Sequence, residues 1–162
     1  MGLDMYLYRE TYIGAEYEHR KIEGKIDITS DGKPIKINFN KVSSIKESVG
    51  YWRKANQIHR WFVQNVQDGE DNCASYYVSE GKLKELLEET EKVLASKGTP
   101  QEEYVVNEFL PSSDGFFFGS DYKTDPEWYW LQMENTKEIL TEVLAEKYDD
   151  DQWVSYYYQS SW

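Results

Sequence analysis

Hydrophobic and polar positions alternate with period two over the first dozen residues. Leu3, Met5 and Leu7 interleave with Asp4, Tyr6 and Tyr8, which predicts a strand over 2–12 ended by Gly14. The same period returns at Ile26 and Ile28 and again at Ile35, Ile37 and Phe39, on either side of Ser30-Asp31-Gly32-Lys33. Asp-Gly supplies the positive φ of a tight turn, so 25–39 reads as a β-hairpin, with Pro34 at a strand start or an edge. The stretch 43–50 fits neither period cleanly.

From Tyr51 the spacing changes to three and four. Ala55, Ile58, Phe62 and Val66 form one stripe and predict a helix over 51–66, closed by the turn around Gly69. Tyr76–Val78 reads as a short strand, and Ser79 as the cap of a second helix over 80–97 with Leu83, Leu86, Leu87, Thr90, Val93 and Leu94 inward. Pro100 opens a short helix reaching Phe109. Thr124-Asp125-Pro126 starts a third long helix, 126–147, with Tyr129, Met133, Thr136, Leu140 and Val143 as its stripe. A last strand is expected over 152–158. No repeat or linker divides the chain. The expectation is one α+β domain, 1–162, in which a small antiparallel sheet of the N-terminal strand and the hairpin packs on three main helices.

Composition narrows the classes. A chain of 162 residues with 40% hydrophobic and 30% charged residues can build a core, and no apolar run is long enough to span a membrane. The N-terminal MGLDMYLYRE lacks the features of a secretory leader, and Tyr6 breaks the myristoylation pattern that Gly2 would begin. Cys73 is the single cysteine, so no intrachain disulfide forms, as suits a reducing cytoplasm.

Charge is uneven. Residues 1–66 carry 11 Lys or Arg against 8 Asp or Glu; 67–162 carry 7 against 22, a balance of −15 within a net −12. Direct nucleic-acid binding is disfavoured, whereas a host protein with a basic surface is a compatible partner. Solubility alone also accounts for an acidic face. The 14 Tyr and 6 Trp are rich in side chains suited to half-wet binding surfaces.

Four segments carry a resemblance: MGLDMYL at 1–7, YWRKANQIHRWFVQNVQDGEDNC at 51–73, YYVS at 76–79 and LPSSDGFFFGS at 110–120. They resemble a family of small proteins of tailed phages and prophages. The resemblance implies a viral accessory protein acting in a bacterial host cytoplasm, with counteraction of a host defence as the general role of such proteins. It brings no activity and no catalytic residue with it.

Candidate chemistry concentrates in 51–73. On the expected helix, Trp52, Arg53, Asn56, His59 and Arg60 recur at spacings of three and four, a set able to grip a small anionic, nucleotide-like ligand. One or more of Phe116, Phe117 and Phe118 would complete that pocket. The competing reading has Arg53 and Arg60 bridging to carboxylates and Trp52 in the core. His59 titrates in the right range for a general acid or base acting on a phosphate-bearing molecule, but no nucleophile stands at a recognisable spacing, and Cys73 has the marks of an inert thiol. Asp68, Glu70 and Asp71 lack the spacing of a calcium loop, and no zinc pattern, phosphate loop or dinucleotide motif occurs. The expectation is a non-catalytic binding protein without metal or cofactor, the enzyme reading being the alternative.

Overall fold

In the computed structural model the residues described are all except 1, 16, 19–26, 114–118, 120 and 150–151. The fold is α+β. Strand β1 (Asp4–Tyr12) lies between β4 (Ser44–Arg53) and β6 (Val154–Ser161), and β5 (Tyr76–Val78) pairs with β6. This gives an antiparallel sheet of order β4-β1-β6-β5. The helices are α1 (Asn56–Asn65), α2 (Glu80–Ser96), α3 (Glu102–Phe109) and α4 (Pro126–Ala145). No described helix is long and apolar enough to cross a membrane.

The alternation in β1 divides the sheet into two faces. Leu3, Met5 and Leu7 join Trp52, Tyr156, Tyr158 and Val78 in one buried cluster with Ile58 and Phe62 of α1, Leu83 and Leu86 of α2, Val106 of α3 and Met133 and Leu140 of α4. All three long helical stripes face this core. Phe62 stacks on Tyr158 at 3.9 Å between centroids and 8° between planes. Trp52 Nε1 donates to Thr136 Oγ1 at 2.9 Å, tying β4 to α4 through a satisfied polar pair. Ser79 and Asp125 cap α2 and α4 by accepting from the Lys82 and Trp128 amides.

Two expectations are corrected. The chain over 51–53 is the end of β4, not the first turn of α1: Tyr51, Trp52 and Arg53 oppose Tyr6, Met5 and Asp4. Lys54, at φ 54°, turns the chain, its amide donating to the Leu3 carbonyl, and α1 starts only at Asn56. Of the ambiguous 43–50, everything from Ser44 on is strand as well, masked by Lys46 and Glu47 and by a register shift opposite Leu7 and Tyr8. The hairpin, in turn, lies outside the main sheet. Among the described residues its strands β2 (Ile28–Ser30) and β3 (Lys33–Ile35) pair only with each other, and they are exposed throughout. Lys25 and Ile26 lie outside the described residues.

Candidate functional site

The expected ligand face divides among three environments. Trp52 is buried in the core. Arg53 is exposed at the end of β4, where it opposes Asp4 across the register. Asn56 is fully buried and accepts from the Ser113 amide at 2.9 Å, which fastens the loop after α3 to the start of α1. Of the predicted set, Arg60 is the one α1 residue that stays exposed. Phe116, Phe117 and Phe118 lie outside the described residues. Of the competing reading, the core position of Trp52 is met but the bridges are not: among the described residues neither Arg53 nor Arg60 forms an ion pair. Arg60 instead borders a cleft of about 180 Å³ with Gln57, Trp61, Glu89 and Glu108. Burial raises the Glu89 carboxyl above the usual range, against the opposing effect of the hydrogen bond it accepts from Trp61 Nε1 at 2.8 Å.

His59 is buried and engaged at both ring nitrogens, by the Tyr158 hydroxyl at 2.7 Å on Nδ1 and by Asp71 Oδ2 at 2.9 Å on Nε2. Burial holds the Tyr158 phenol well above its ordinary pKa, so it stays protonated and can donate to Nδ1, leaving Nε2–H to donate to Asp71. Asp71 Oδ1 accepts from Trp162 Nε1 at 3.0 Å. The chain Tyr158–His59–Asp71–Trp162 therefore links α1, β6 and the turn after α1. Cys73, half-buried, accepts at its carbonyl from Gln159 Nε2. Among the described residues no three His, Cys, Asp or Glu converge on a metal-sized site.

The opposite face of the sheet was not anticipated as a unit. With the helices on the Leu3–Met5–Leu7 side, the alternate residues look outward, and they are aromatic on every strand: Tyr6, Tyr8 and Tyr12 on β1, Tyr51 on β4, Tyr157 on β6 and Tyr77 on β5. The register sets Tyr77 opposite Tyr157, Tyr157 opposite Tyr8, and Tyr6 opposite Tyr51. Ring centroids lie 5.8 Å apart for Tyr6–Tyr8, 5.4 Å for Tyr6–Tyr51 and 6.1 Å for Tyr77–Tyr157, so the rings form two contacting groups, Tyr51–Tyr6–Tyr8 and Tyr157–Tyr77, which the Tyr8–Tyr157 register sets side by side across four strands. Charges on this face come as opposed pairs, Asp4 with Arg53 and Glu10 with Lys46, and Lys46 Nζ sits 3.8 Å over the Tyr8 ring. The Asp4 carboxylate, which accepts from the Tyr51 hydroxyl, raises that phenol's pKa. The band is thus electroneutral within a chain of net charge −12. Pairing register is what assembles it; the alternation in β1 alone was the readable part.

A larger concavity lies around the β5 edge. Val78 ends β5 where Ser79 caps α2, so β6 loses its neighbour beyond Tyr156. A groove of about 660 Å³ opens there, bordered by Tyr77, Glu80, Lys84, Asp149, Val154 and Ser155. Tyr148 forms part of its wall, with its pKa pushed up to about 12 chiefly by burial. Comparison of the chain with protein-family models, curated proteins and solved structures finds no match.

Proposed function

We propose that this chain is a non-catalytic binding protein that engages a host protein through the open, tyrosine-lined face of its sheet. The resemblance to tailed-phage proteins gives the setting: a viral accessory protein in the bacterial cytoplasm that counters a host defence by occupying one of its components. The observation carrying the binding reading is the band of five tyrosines, Tyr77, Tyr157, Tyr8, Tyr6 and Tyr51, set side by side by the strand register and left uncovered by the helices. Tyr51 and Tyr77 remain 44% and 61% exposed, so ring area is left over beyond their cross-strand contacts. Tyrosine supplies rigid area and a hydroxyl at small entropic cost, which is why it is enriched in protein interfaces. The acidic balance of the chain favours a partner with a basic surface and raises its encounter rate.

Geometry ranks this above the two other readings. A nucleotide-like ligand on the α1 face is left with the Arg60 cleft, whose 180 Å³ falls below the range of roughly 300–1,000 Å³ usual for small-molecule sites. An enzyme with His59 as acid or base acting on a phosphate-bearing molecule draws less support, because the ring is buried and both nitrogens are occupied internally.

The test pairs Tyr8→Ser with Tyr157→Ser in one variant and compares it with wild type in a phage infection assay on defended and undefended hosts. Both residues lie off the core, so the variant is expected to keep its fold by circular dichroism and to lose protection on the defended host. A folded variant with full protection would refute the sheet face as the working surface.

A further inference from the structure

We propose that the cleft bordered by α1, α2 and α3 binds a small zwitterion of the α-amino acid class, its carboxylate on Arg60 and its ammonium group on Glu89. The proposal goes beyond the protein-binding reading and does not depend on it. The cleft is built from helices packed on one side of the sheet, and the tyrosine band lies on the other.

Helical spacing makes one wall. Gln57 lies three and four residues before Arg60 and Trp61, so all three share one face of α1, and all three border the cleft. Glu89 of α2 and Glu108 and Phe109 of α3 border it as well. The bond from Trp61 Nε1 to Glu89 Oε2, 2.8 Å long, ties α1 to α2 at this point. All of the bordering residues are among those described.

Three polar groups here lack partners. Arg60 is exposed and forms neither an ion pair nor a hydrogen bond among the described residues. Gln57 is only 3% exposed, yet its Nε2 has no acceptor. A buried donor left unmade is rare and unfavourable, and the last torsion of a glutamine is soft enough to swing it to a ligand oxygen. Glu89 is half-buried, and only its Oε2 is engaged, by the indole; Oε1 has no donor among the described residues. Burial raises the Glu89 carboxyl's pKa, and an ammonium group beside it would offset that desolvation.

The two signs select the ligand. Arg60 and Glu89 border one space without pairing across it. Glu108 and Lys92, whose Nζ stands 5.1 Å over the Phe109 ring, add one charge of each sign, so the surroundings are neutral overall. A lone anion would leave Glu89 unmatched and a lone cation would leave Arg60 unmatched, whereas a zwitterion satisfies both. Size sets the upper limit. A volume of about 180 Å³ is the space of roughly six waters at about 30 Å³ each, too little for a nucleotide and enough for a molecule on the order of ten non-hydrogen atoms.

The test titrates the full ¹⁵N-labelled chain with L-serine, L-aspartate and L-glutamine at millimolar concentration. At least one should move the Gln57 side-chain amide, the Arg60 Nε–H and the Trp61 indole signals together. Its deaminated analogue, which lacks the cation, and its α-amide, which lacks the anion, should each bind roughly tenfold weaker or worse, as should the parent amino acid to Arg60→Ala and to Glu89→Gln. Because the two analogues probe the wild-type chain, the outcome does not hang on the variants folding. Equal binding of the deaminated analogue would overturn Glu89 as the partner of the ammonium group. Equal binding of the α-amide would overturn Arg60 as the partner of the carboxylate. No shift at these three signals with any of the amino acids would overturn the site, while the sheet-face reading keeps its own test with the tyrosine variant.

Discussion

Gly50→Ala tests the seam between β4 and α4, on which the placement of 51–53 in the sheet depends. Gly50 is buried opposite Leu7, and its backbone does not lie in the left-handed region, so an alanine meets no conformational penalty there. What it meets is crowding. A methyl group would lie 2.8 Å from Ile139 Cγ2, 3.1 Å from Leu7 Cβ and 3.2 Å from the Trp52 ring. Ile139 is β-branched in a helix and held to one rotamer, Leu7 Cβ moves only with its backbone, and the Trp52 ring is pinned by Thr136. No flexible chain end can yield, so α4 must shift away from the sheet. Overpacking of this kind costs about 1–3 kcal/mol. In a chain of this size that lowers Tm by about 2–12 °C, measured by calorimetry or circular dichroism. Gly81→Ala is the control: its methyl would meet only Ser79 Oγ at 3.8 Å, and it should be neutral or stabilise by up to about 1 kcal/mol. If Gly50→Ala melts with wild type, the packing of α4 on β4 described here is wrong.

Thr136→Val removes the acceptor of the buried Trp52 indole and should cost about 1–3 kcal/mol in urea unfolding, with an unchanged slope. Glu89→Gln should be neutral or stabilising at pH 7. The folded carboxyl titrates above its unfolded value, so the native state binds the extra proton, and wild-type stability falls as pH rises from the unfolded pKa through the folded one. Chemical unfolding between pH 4 and 7 should show that fall in wild type and lose this component in the variant, while the amide oxygen still accepts from Trp61. Arg60→Ala, which removes no ion pair among the described residues, should leave Tm within about 1 °C of wild type.

Long periodic elements were legible in the chain itself. The stripes of α2 and α4, the Ser79 and Asp125 caps and the alternation of β1 each state their structure locally, because one buried face imposes one period. The 51–66 stretch misled because Trp52 to Asn56 and Asn56 to Arg60 keep helical spacing across a junction where strand gives way to helix at Lys54. Spacing records neither pairing nor the positive φ that breaks it. The hairpin turn at Asp31-Gly32 forms as read, although among the described residues its strands are only Ile28–Ser30 and Lys33–Ile35 and Phe39 falls in a helical turn; the sheet to which a strand belongs is decided by long-range register. The tyrosine band has the same origin. Its rings come from residues 6, 8, 51, 77 and 157, and only the pairing of four strands brings them together. His59 was legible as chemistry, but its engagement depends on Tyr158, 99 residues away.

The central claim is that a host protein sits on the tyrosine face, and site-specific photo-crosslinking in infected cells addresses it most directly. A photoreactive phenylalanine analogue replaces Tyr157 in one version of the protein and Glu138, on the exposed side of α4, in another. The account predicts a discrete adduct with one host protein from position 157 and none from position 138. An adduct from 138 with none from 157 would contradict it and move the working surface to the acidic helices.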